Sequence, residues 1–548
     1  MKNFKRFTAA TLALVMTISS VIFVSAASPI RTPEEEGYSP VRATFEAMGA
    51  AVDWHDETRS VYIDFGGLIQ IVLHTDDSLA VVNGNSIDLR DGIIFFYDST
   101  FISQLDLVFL DIAAAGGSSA VFELTAEARD IALYDFDHMV QFTLENSVWD
   151  NIIYRRLGIN FHDHVARTRA AIYNMTPKLF PVFPPLIPLH EPIDARAIAA
   201  NYLLPLLIFD FSMPLEGIGH LGPRDLMMYE IILTAFYQGY HLTDEEDRHL
   251  LGATLLNLEQ YLHPSAVWFY GEFDIDLDAE EHPFPDVPGN IATEIIVPGE
   301  VAYLRIHTFM ANPYFDEEVF LPFLQEVQDY NHLIIDLRSN MGGLMNYFPA
   351  YVFTRLLAEP IASESWEFYT GGARALAALE ATMPLFELAL TEDPEIYGGL
   401  IELYKLPIEE FLAIRELPYF NQQDRERFAY AIFGSSLIVP AEDSIAFDGK
   451  IWMLIDGMTA SASSLAALTM DLTGKGTLVG ENTSGVMAAL HAYIALPNTG
   501  IIWRVDLGHF TDAYGRSLEA YGIAPHVRNR EGLDALGTVL ALIAEGDY

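Results

Sequence analysis

The chain has 548 residues, 51% hydrophobic and 12% aromatic, which is too long for one core and too apolar for a disordered protein; roughly two to four domains are expected. Thirty Lys and Arg against 76 Asp and Glu leave a net charge of −46, which excludes a phosphate-backbone partner because there is no basic excess to release counterions. The lack of cysteine excludes a disulfide framework, a thiolate metal site and a cysteine nucleophile.

Lys2, Lys5 and Arg6 precede an apolar run over 7–24, and Val24-Ser25-Ala26 supplies small residues for a cut. That pattern predicts a signal peptide over 1–26, a mature chain from Ala27 and a secreted, extracellular bacterial protein; an uncleaved anchor is the alternative. No other stretch reaches the ~18 consecutive apolar residues of a spanning helix, so no integral span is expected after cleavage. A polar lead over 31–38 is followed by a short helix over 41–48 that ends at Gly49. Strands are expected over 51–54, 60–65, 69–74 and 79–82, the last followed by the turn Asn83-Gly84-Asn85. "VRATFEAMGAAVDWHDETRSVYI", followed by "AVVNGNSIDL", resembles the small α+β modules named after the copper amine oxidase N-terminal domain. The resemblance implies a spacer or cell-surface attachment unit over 27–115. It brings no copper, and His55 and His74 read as exposed polar residues.

A Gly- and Ser-containing linker over 113–119 comes next. Helices are predicted over 124–144, 162–173, 195–204, 224–240 and 243–262, interrupted by a proline-rich break over 177–192. The last opens with the capping pattern Thr243-Asp244-Glu245-Glu246, and an acidic loop follows over 274–288. From 299 the texture changes. Strands over 301–306, 332–337, 451–455, 476–479 and 501–506 alternate with helices over 317–328, 461–472 and 533–545, which argues for an α/β layer. Between them, 358–446 reads as a mostly helical insertion (374–382, 407–415, 423–433), a lid or substrate-facing subdomain.

The stretch "GKIWMLIDGMTASASSLAALTMD" over 449–471 combines a buried strand, a tight turn and a serine at a helix start. Such a turn points backbone N–H groups and the positive end of the helix dipole at whatever the serine touches, where a developing oxyanion is stabilised. The plainer alternative is that Ser461 or Ser463 only caps the helix.

"EVAYLRIHTF", "HLIIDLRSNMGGLM", "GKIWMLIDGMTASASS", "GTLVGENTSGV" and "LEAYGIAPHV" fall in the order seen in serine peptidases of family S41, which includes the C-terminal processing proteases and the tricorn core peptidases. The resemblance implies a ClpP/crotonase-like α/β core over 299–548, carrying the insertion and preceded by a helical part over 120–290. It also implies that Ser461 is the nucleophile, with Ser463 and Ser464 as bystanders. The loop Asp336-Leu337-Arg338-Ser339-Asn340-Met341-Gly342-Gly343 resembles the oxyanion loop, which would pair an amide of Gly342, or second Gly343, with that of Ala462. Processing proteases take the proton with a lysine in a T-x-G-K segment. Here that segment is Thr483-Ser484-Gly485-Val486, and valine accepts no proton. Lys475, in a Gly-rich turn, reads as solvent-exposed. The tricorn branch uses histidine, supported by a late glutamate whose position Glu519 fits. His220, flanked by glycines in Gly217-Ile218-Gly219-His220-Leu221-Gly222, is the first candidate base, and His263 in Tyr261-Leu262-His263-Pro264-Ser265 the second. His241 and His249 read as surface residues, and His526 stands where the family usually has an aspartate. The segment between His263 and the core is about 36 residues, too short for a PDZ module.

Neither a metal-binding motif nor a phosphate loop is present, so no metal or cofactor is expected. The reading is a secreted serine peptidase acting on peptides or proteins, with Ser461, a histidine base and Glu519 in support. The rival is a catalytically inactive peptide- or cell-wall-binding protein on the same scaffold.

Overall fold

The computed structural model describes residues 38–103 except several short turns, 118–182, 194–212, 215, 222–223, 253–270, 285–391, 400–485 and 490–546. The proposed signal peptide and His220 lie outside these residues. The chain divides into two compact units, 1–134 with 168–216, and 135–167 with 217–548.

The first unit is built on a five-stranded antiparallel sheet in chain order: Ala51–His55, Ser60–Asp64, Gln70–His74, Leu79–Val82 and Asn85–Asp88. Alternate residues turn inward, and Val52, Val61, Ile63, Ile71, Leu73, Ala80 and Val82 form one core with Val41 and Phe45 of the helix Val41–Ala47. Both histidines here have local partners. His74 Nδ1 lies 2.9 Å from Ser60 Oγ, and the His55 ring packs at a tilt against Tyr62, with centroids 4.1 Å apart. The expected linker over 113–119 and proline break over 177–192 are corrected in part. Ser118–Phe122 and Lys178–Val182 pair as an antiparallel two-stranded sheet, where Pro181 is tolerated because every strand is an edge. In the same unit Ala195–Pro205 runs into a π-helical turn, Leu206–Ser212, with Asp194 accepting Ala197 N–H at 2.8 Å as the N-cap. This segment is apolar and long enough to cross a membrane, but Tyr202, Leu203, Leu206, Leu207 and Phe211 are buried.

The second unit is organised by a six-stranded sheet in chain order: β1 (Ile291–Val297), β2 (Val301–Ile306), β3 (His332–Asp336), β4 (Lys450–Ile455), β5 (Gly476–Gly480) and β6 (Val527–Arg528). β1 is antiparallel to β2 and every other pair is parallel. A parallel sheet is covered on both faces, which explains the continuous apolar runs of β3 and β4. On one face Leu304, Ile306, Leu333, Ile335, Ile451 and Met453 join Phe320 and Leu324 of a helix Pro313–Glu326 and Ala466 and Met470 of a helix Ala462–Thr473. On the other, Val301, Ile334, Trp452, Leu454 and Val479 meet Ala535, Val539 and Leu542 of the helix Ala535–Glu545. The carboxyl ends of β2 to β5 therefore share one edge, where open α/β sheets gather their functional loops.

The insertion differs from the expected helical lid. Ile361–Thr370, Leu400–Pro407 and Phe428–Ile438 are long strands, paired antiparallel in the order Leu400–Pro407, Phe428–Ile438, Ile361–Thr370, His509–Phe510. Helices remain at Ala373–Thr391, Ile408–Ile414 and Gln422–Arg425, so the expected helix over 423–433 gives way to a strand after one turn. Aromatic and small residues in "FAYAIFGSSLI" suit a pleated surface, and pairing partners far along the chain decide the outcome. A further helix, Trp149–Leu157, was not expected from the sequence. Its Arg155 reaches Asp424 at 2.6 Å and so ties the helical region to the insertion.

Candidate active site

β4 ends at Ile455, and within six residues the chain turns from buried strand to the start of the helix Ala462–Thr473. Asp456 closes the turn, its Oδ1 accepting the N–H groups of Met458 and Thr459 at 3.0 Å each. Ser461 occupies the N-cap position at φ 53° and ψ −127°, yet its side chain makes no capping hydrogen bond. A left-handed conformation at a residue with a β-carbon costs on the order of 1–2 kcal/mol, so the surrounding bonds must hold it. Ser461 N–H donates to Gly485 O at 3.0 Å, and Leu465 N–H donates to Ser461 O at 3.0 Å. The neighbouring serines are fully buried with their hydroxyls engaged. Ser463 Oγ lies 2.7 Å from Ala460 O and accepts Ala460 N–H at 2.9 Å, and Ser464 Oγ donates to Thr459 O at 2.9 Å. Ser461 is half-buried.

The glycine loop after β3 lies against this turn. Its beginning is fixed by Arg338, which pairs with Asp336 at 2.7 Å and with Asp534 at 2.8 Å, while the Tyr303 hydroxyl donates to Asp336 at 2.6 Å. Gly342, at φ 93°, leaves room for a hydrogen only: a β-carbon there would stand 2.7 Å from Ser461 Cβ and 2.8 Å from Ala462 N. Gly343, at φ 139°, is equally constrained, because a β-carbon would meet the Phe309 backbone at 2.2 Å. The loop's far end is anchored where Tyr347, stacked on Phe309 at 4.6 Å, donates to buried Asp316.

Gly342, the first expected oxyanion donor, has its N–H engaged inside the loop. Its N–H donates to Asn340 Oδ1 at 2.9 Å, and Asn340, fully buried, donates in turn to Ile306 O at 3.0 Å. In this arrangement the Gly342 amide is taken up within its own loop. Of the three candidate amides, those of Gly343 and Ala462 have no acceptor among the described residues.

Glu519 lies on a short helix, Leu518–Tyr521, capped by Ser517, whose Oγ accepts Ala520 N–H at 3.1 Å. It is only 1% exposed, so it is not a solvated loop carboxylate. Gly485 separates it from the serine turn: the Gly485 carbonyl holds Ser461 N–H, and a Gly485 β-carbon would lie 3.2 Å from Glu519 Cα. Arg156, from the helix Trp149–Leu157, donates to the carbonyls of Glu519, at 3.0 Å, and of Ser484, holding these segments together. Lys475 is exposed.

His263, the second candidate base, has its contacts with Ser265. It is exposed at the start of the helix Pro264–Tyr270, with Nδ1 2.7 Å from Ser265 Oγ, and Ser265 Oγ in turn donates to Leu496 O at 2.9 Å. No hydrogen bond joins it to Ser461. The residues just after His220, Gly222–Pro223, pair with Trp503 and Arg504 of the sheet containing His491–Ala495 and Ile502–Asp506. That sheet brings together a histidine that sequence reasoning passed over. His491 Nδ1 is 3.0 Å from buried Asp506 Oδ1, and the Arg504 guanidinium lies against the same ring. Alternation in "HAYIA" and "IWRVD" was the available signal. His526, at the family's aspartate position, accepts Leu478 N–H at 2.9 Å and faces Asp471 at 2.8 Å.

A serine in a strained strand-to-helix turn, with unengaged amides on both flanking loops, is the arrangement used for nucleophilic attack on a carbonyl. The comparisons with known proteins agree with that class. Residues 300–529 match the family described as Peptidase family S41, and residues 20–108 match the Copper amine oxidase N-terminal domain. The segment 300–529 is thus similar to S41 peptidases and follows a segment similar to the copper amine oxidase N-terminal module.

Among solved structures, mature CPAF complexed with lactacystin is 18% identical, with 48% of this chain and 55% of that chain covered and a TM-score of 0.33. The photosystem II D1 C-terminal processing protease is 17% identical, with 47% and 51% covered and a TM-score of 0.26. A lipoprotein from Streptococcus agalactiae is 10% identical over 78% of this chain and 99% of that chain, with a TM-score of 0.33. The chain spans 65% and 55% of the length of the first solved structures it matches. The likeness to the S41 family rests on the sequence match over 300–529.

Proposed function

We propose that the protein is a secreted serine peptidase in which Ser461 is the nucleophile, a histidine, His220 first, is the base, and Glu519 supports the polar network. The Ser461 Oγ adds to a peptide carbonyl carbon as the imidazole takes the hydroxyl proton. The carbonyl oxygen, now an anion, is held by the amides of Gly343 and Ala462. Collapse breaks the C–N bond, the proton passes to the leaving amine, and water then hydrolyses the acyl ester by the same route. A Ser–Lys mechanism is disfavoured because Lys475 is exposed and Val486 stands at the lysine position of the family segment.

The observation that carries the reading is the strained φ of Ser461 beside Gly342, whose missing side chain leaves the face of the serine open. Strain of this kind persists where a reactive group must be presented. Secretion follows from the signal-like N-terminus, and cell-surface association from the N-terminal module. A fluorophosphonate probe tests the chemistry: an O–P bond forms at Ser461, the P–F bond breaks and fluoride leaves. Stoichiometric labelling that is lost in Ser461→Ala and strongly slowed in His220→Ala, but not in His263→Ala or His491→Ala, supports the assignment. An intact, folded chain that takes no label supports the binding protein instead.

A further inference from the structure

We infer that Asp456 is the positioning residue that sets the spacing between the turn carrying Ser461 and the loop carrying Gly343, an inference that rests on Ser461 being the nucleophile. Asp456 lies five residues before the serine and shapes the turn through Met458 and Thr459, as described above. The same Oδ1 also accepts Ser339 N–H at 3.0 Å across the gap between the loops, and Oδ2 accepts the Ser339 hydroxyl at 3.3 Å. Hydrogen bonds to a charged acceptor are roughly twice as strong as neutral ones.

What makes this more than a turn bracket is the backbone it holds. Ser339 and Ser461 both adopt left-handed conformations, at φ 63° and 53°, and they stand on the two loops whose amides flank the serine. Neither is glycine, so each needs its surroundings to over-determine it. Asp456 grips the strained residue of one loop directly and forms the turn that ends in the strained residue of the other. Gly343 is four residues beyond Ser339, and Ala462 is next to Ser461. The separation of the two candidate oxyanion donors is thereby referred to one carboxylate.

Two further bonds join the loops, although the Thr459 hydroxyl also lies 3.2 Å from Asp456 Oδ1 and accepts Asp456 N–H at 3.0 Å. The Thr459 hydroxyl donates to Leu337 O and Ala460 N–H donates to Asn340 O, both at 3.0 Å. These remain when Asp456 is removed, so the domain should fold while the loops lose their register. A misplacement of about 1 Å in a reacting constellation costs on the order of a hundredfold in rate.

The test uses the full mature chain and a fluorophosphonate probe, with kinact and KI separated, alongside hydrogen exchange of the amides over 337–343 and 457–462. Asp456→Ala is expected to lower kinact about a hundredfold at unchanged KI, and to speed exchange in both loops together. Asp456→Asn keeps an oxygen that accepts the same three N–H groups, and should recover kinact to within about fivefold of wild type. Wild-type kinact in Asp456→Ala, or an Asn variant as slow as the Ala variant, overturns the inference and leaves Ser461 in its role. A wild-type chain that takes no label removes the peptidase reading, and the positioning role with it. Faster exchange confined to 457–462 overturns the coupling of the two loops.

Discussion

Gly342 lies so close to Ser461 that a β-carbon on the glycine would stand 2.7 Å from the serine's own. This face of the serine is open because its neighbour has no side chain. Gly342→Ala should therefore abolish fluorophosphonate labelling. The left-handed φ of 93° adds about 1–2 kcal/mol of strain, so a modest fall in melting temperature should accompany the loss. Labelling at the wild-type rate would show that the loop moves away freely.

Glu519 is buried immediately behind Gly485, whose carbonyl holds the Ser461 amide. If its carboxylate orients the base, Glu519→Gln should reduce labelling by on the order of 10³-fold or more, as loss of a triad acid does, with the fold retained. Circular dichroism and labelling kinetics on the same sample separate the two effects. An unchanged rate would reduce Glu519 to a packing residue.

Asp424 is a buried carboxylate gripped by Arg155 at 2.6 Å, with Asn151 Nδ2 donating to it at 3.0 Å. Removing one partner of such a pair leaves the other charge uncompensated, a change that costs roughly 3–5 kcal/mol. Arg155→Ala should lower the melting temperature by several degrees. Arg425→Ala, which breaks an exposed pair with Glu409, should change it little.

His509 is fully buried and its pKa is lowered to about 4, chiefly by burial and further by Arg155, with Asp424 3.9 Å away pulling in the opposite direction. Its ring faces Phe428 at 5.3 Å, and its Nδ1 has no hydrogen-bond partner. The folded ring is neutral at pH 7. Between pH 6.5 and about 4 the unfolded chain binds a proton that the folded chain does not, so stability falls as pH drops through that window, by up to roughly 3 kcal/mol. Melting temperatures at pH 7 and pH 4.5 should drop less in His509→Gln than in wild type. Parallel slopes would show that the ring finds relief on protonation.

Much of the scaffold was legible because local pattern and burial agree. Apolar runs bounded by glycine fall on β2, β4 and β5 within a residue, and the turn at Ser461 could be read from a strand, a tight turn and a helix in succession. The strands of the insertion were not legible. Their pairing partners lie on distant segments, as with Glu367 opposite Phe510, and the same aromatic- and alanine-rich residues carry a helical period in isolation. The helix Trp149–Leu157 was missed for a related reason: Arg155 and Arg156 look solvent-directed until Asp424 and the carbonyls of Ser484 and Glu519 supply partners.

The sequence by itself determined the residue types at the site: a serine ending a strand-to-helix turn, two glycines after a buried strand, and a late glutamate. Only the tertiary structure decided which amide of the glycine pair is left unengaged, because that depends on Asn340 folding back to take the Gly342 N–H. Hydrogen-bond donors are identical along a backbone, and which of them remain open is settled by the side chains that the fold brings within 3 Å.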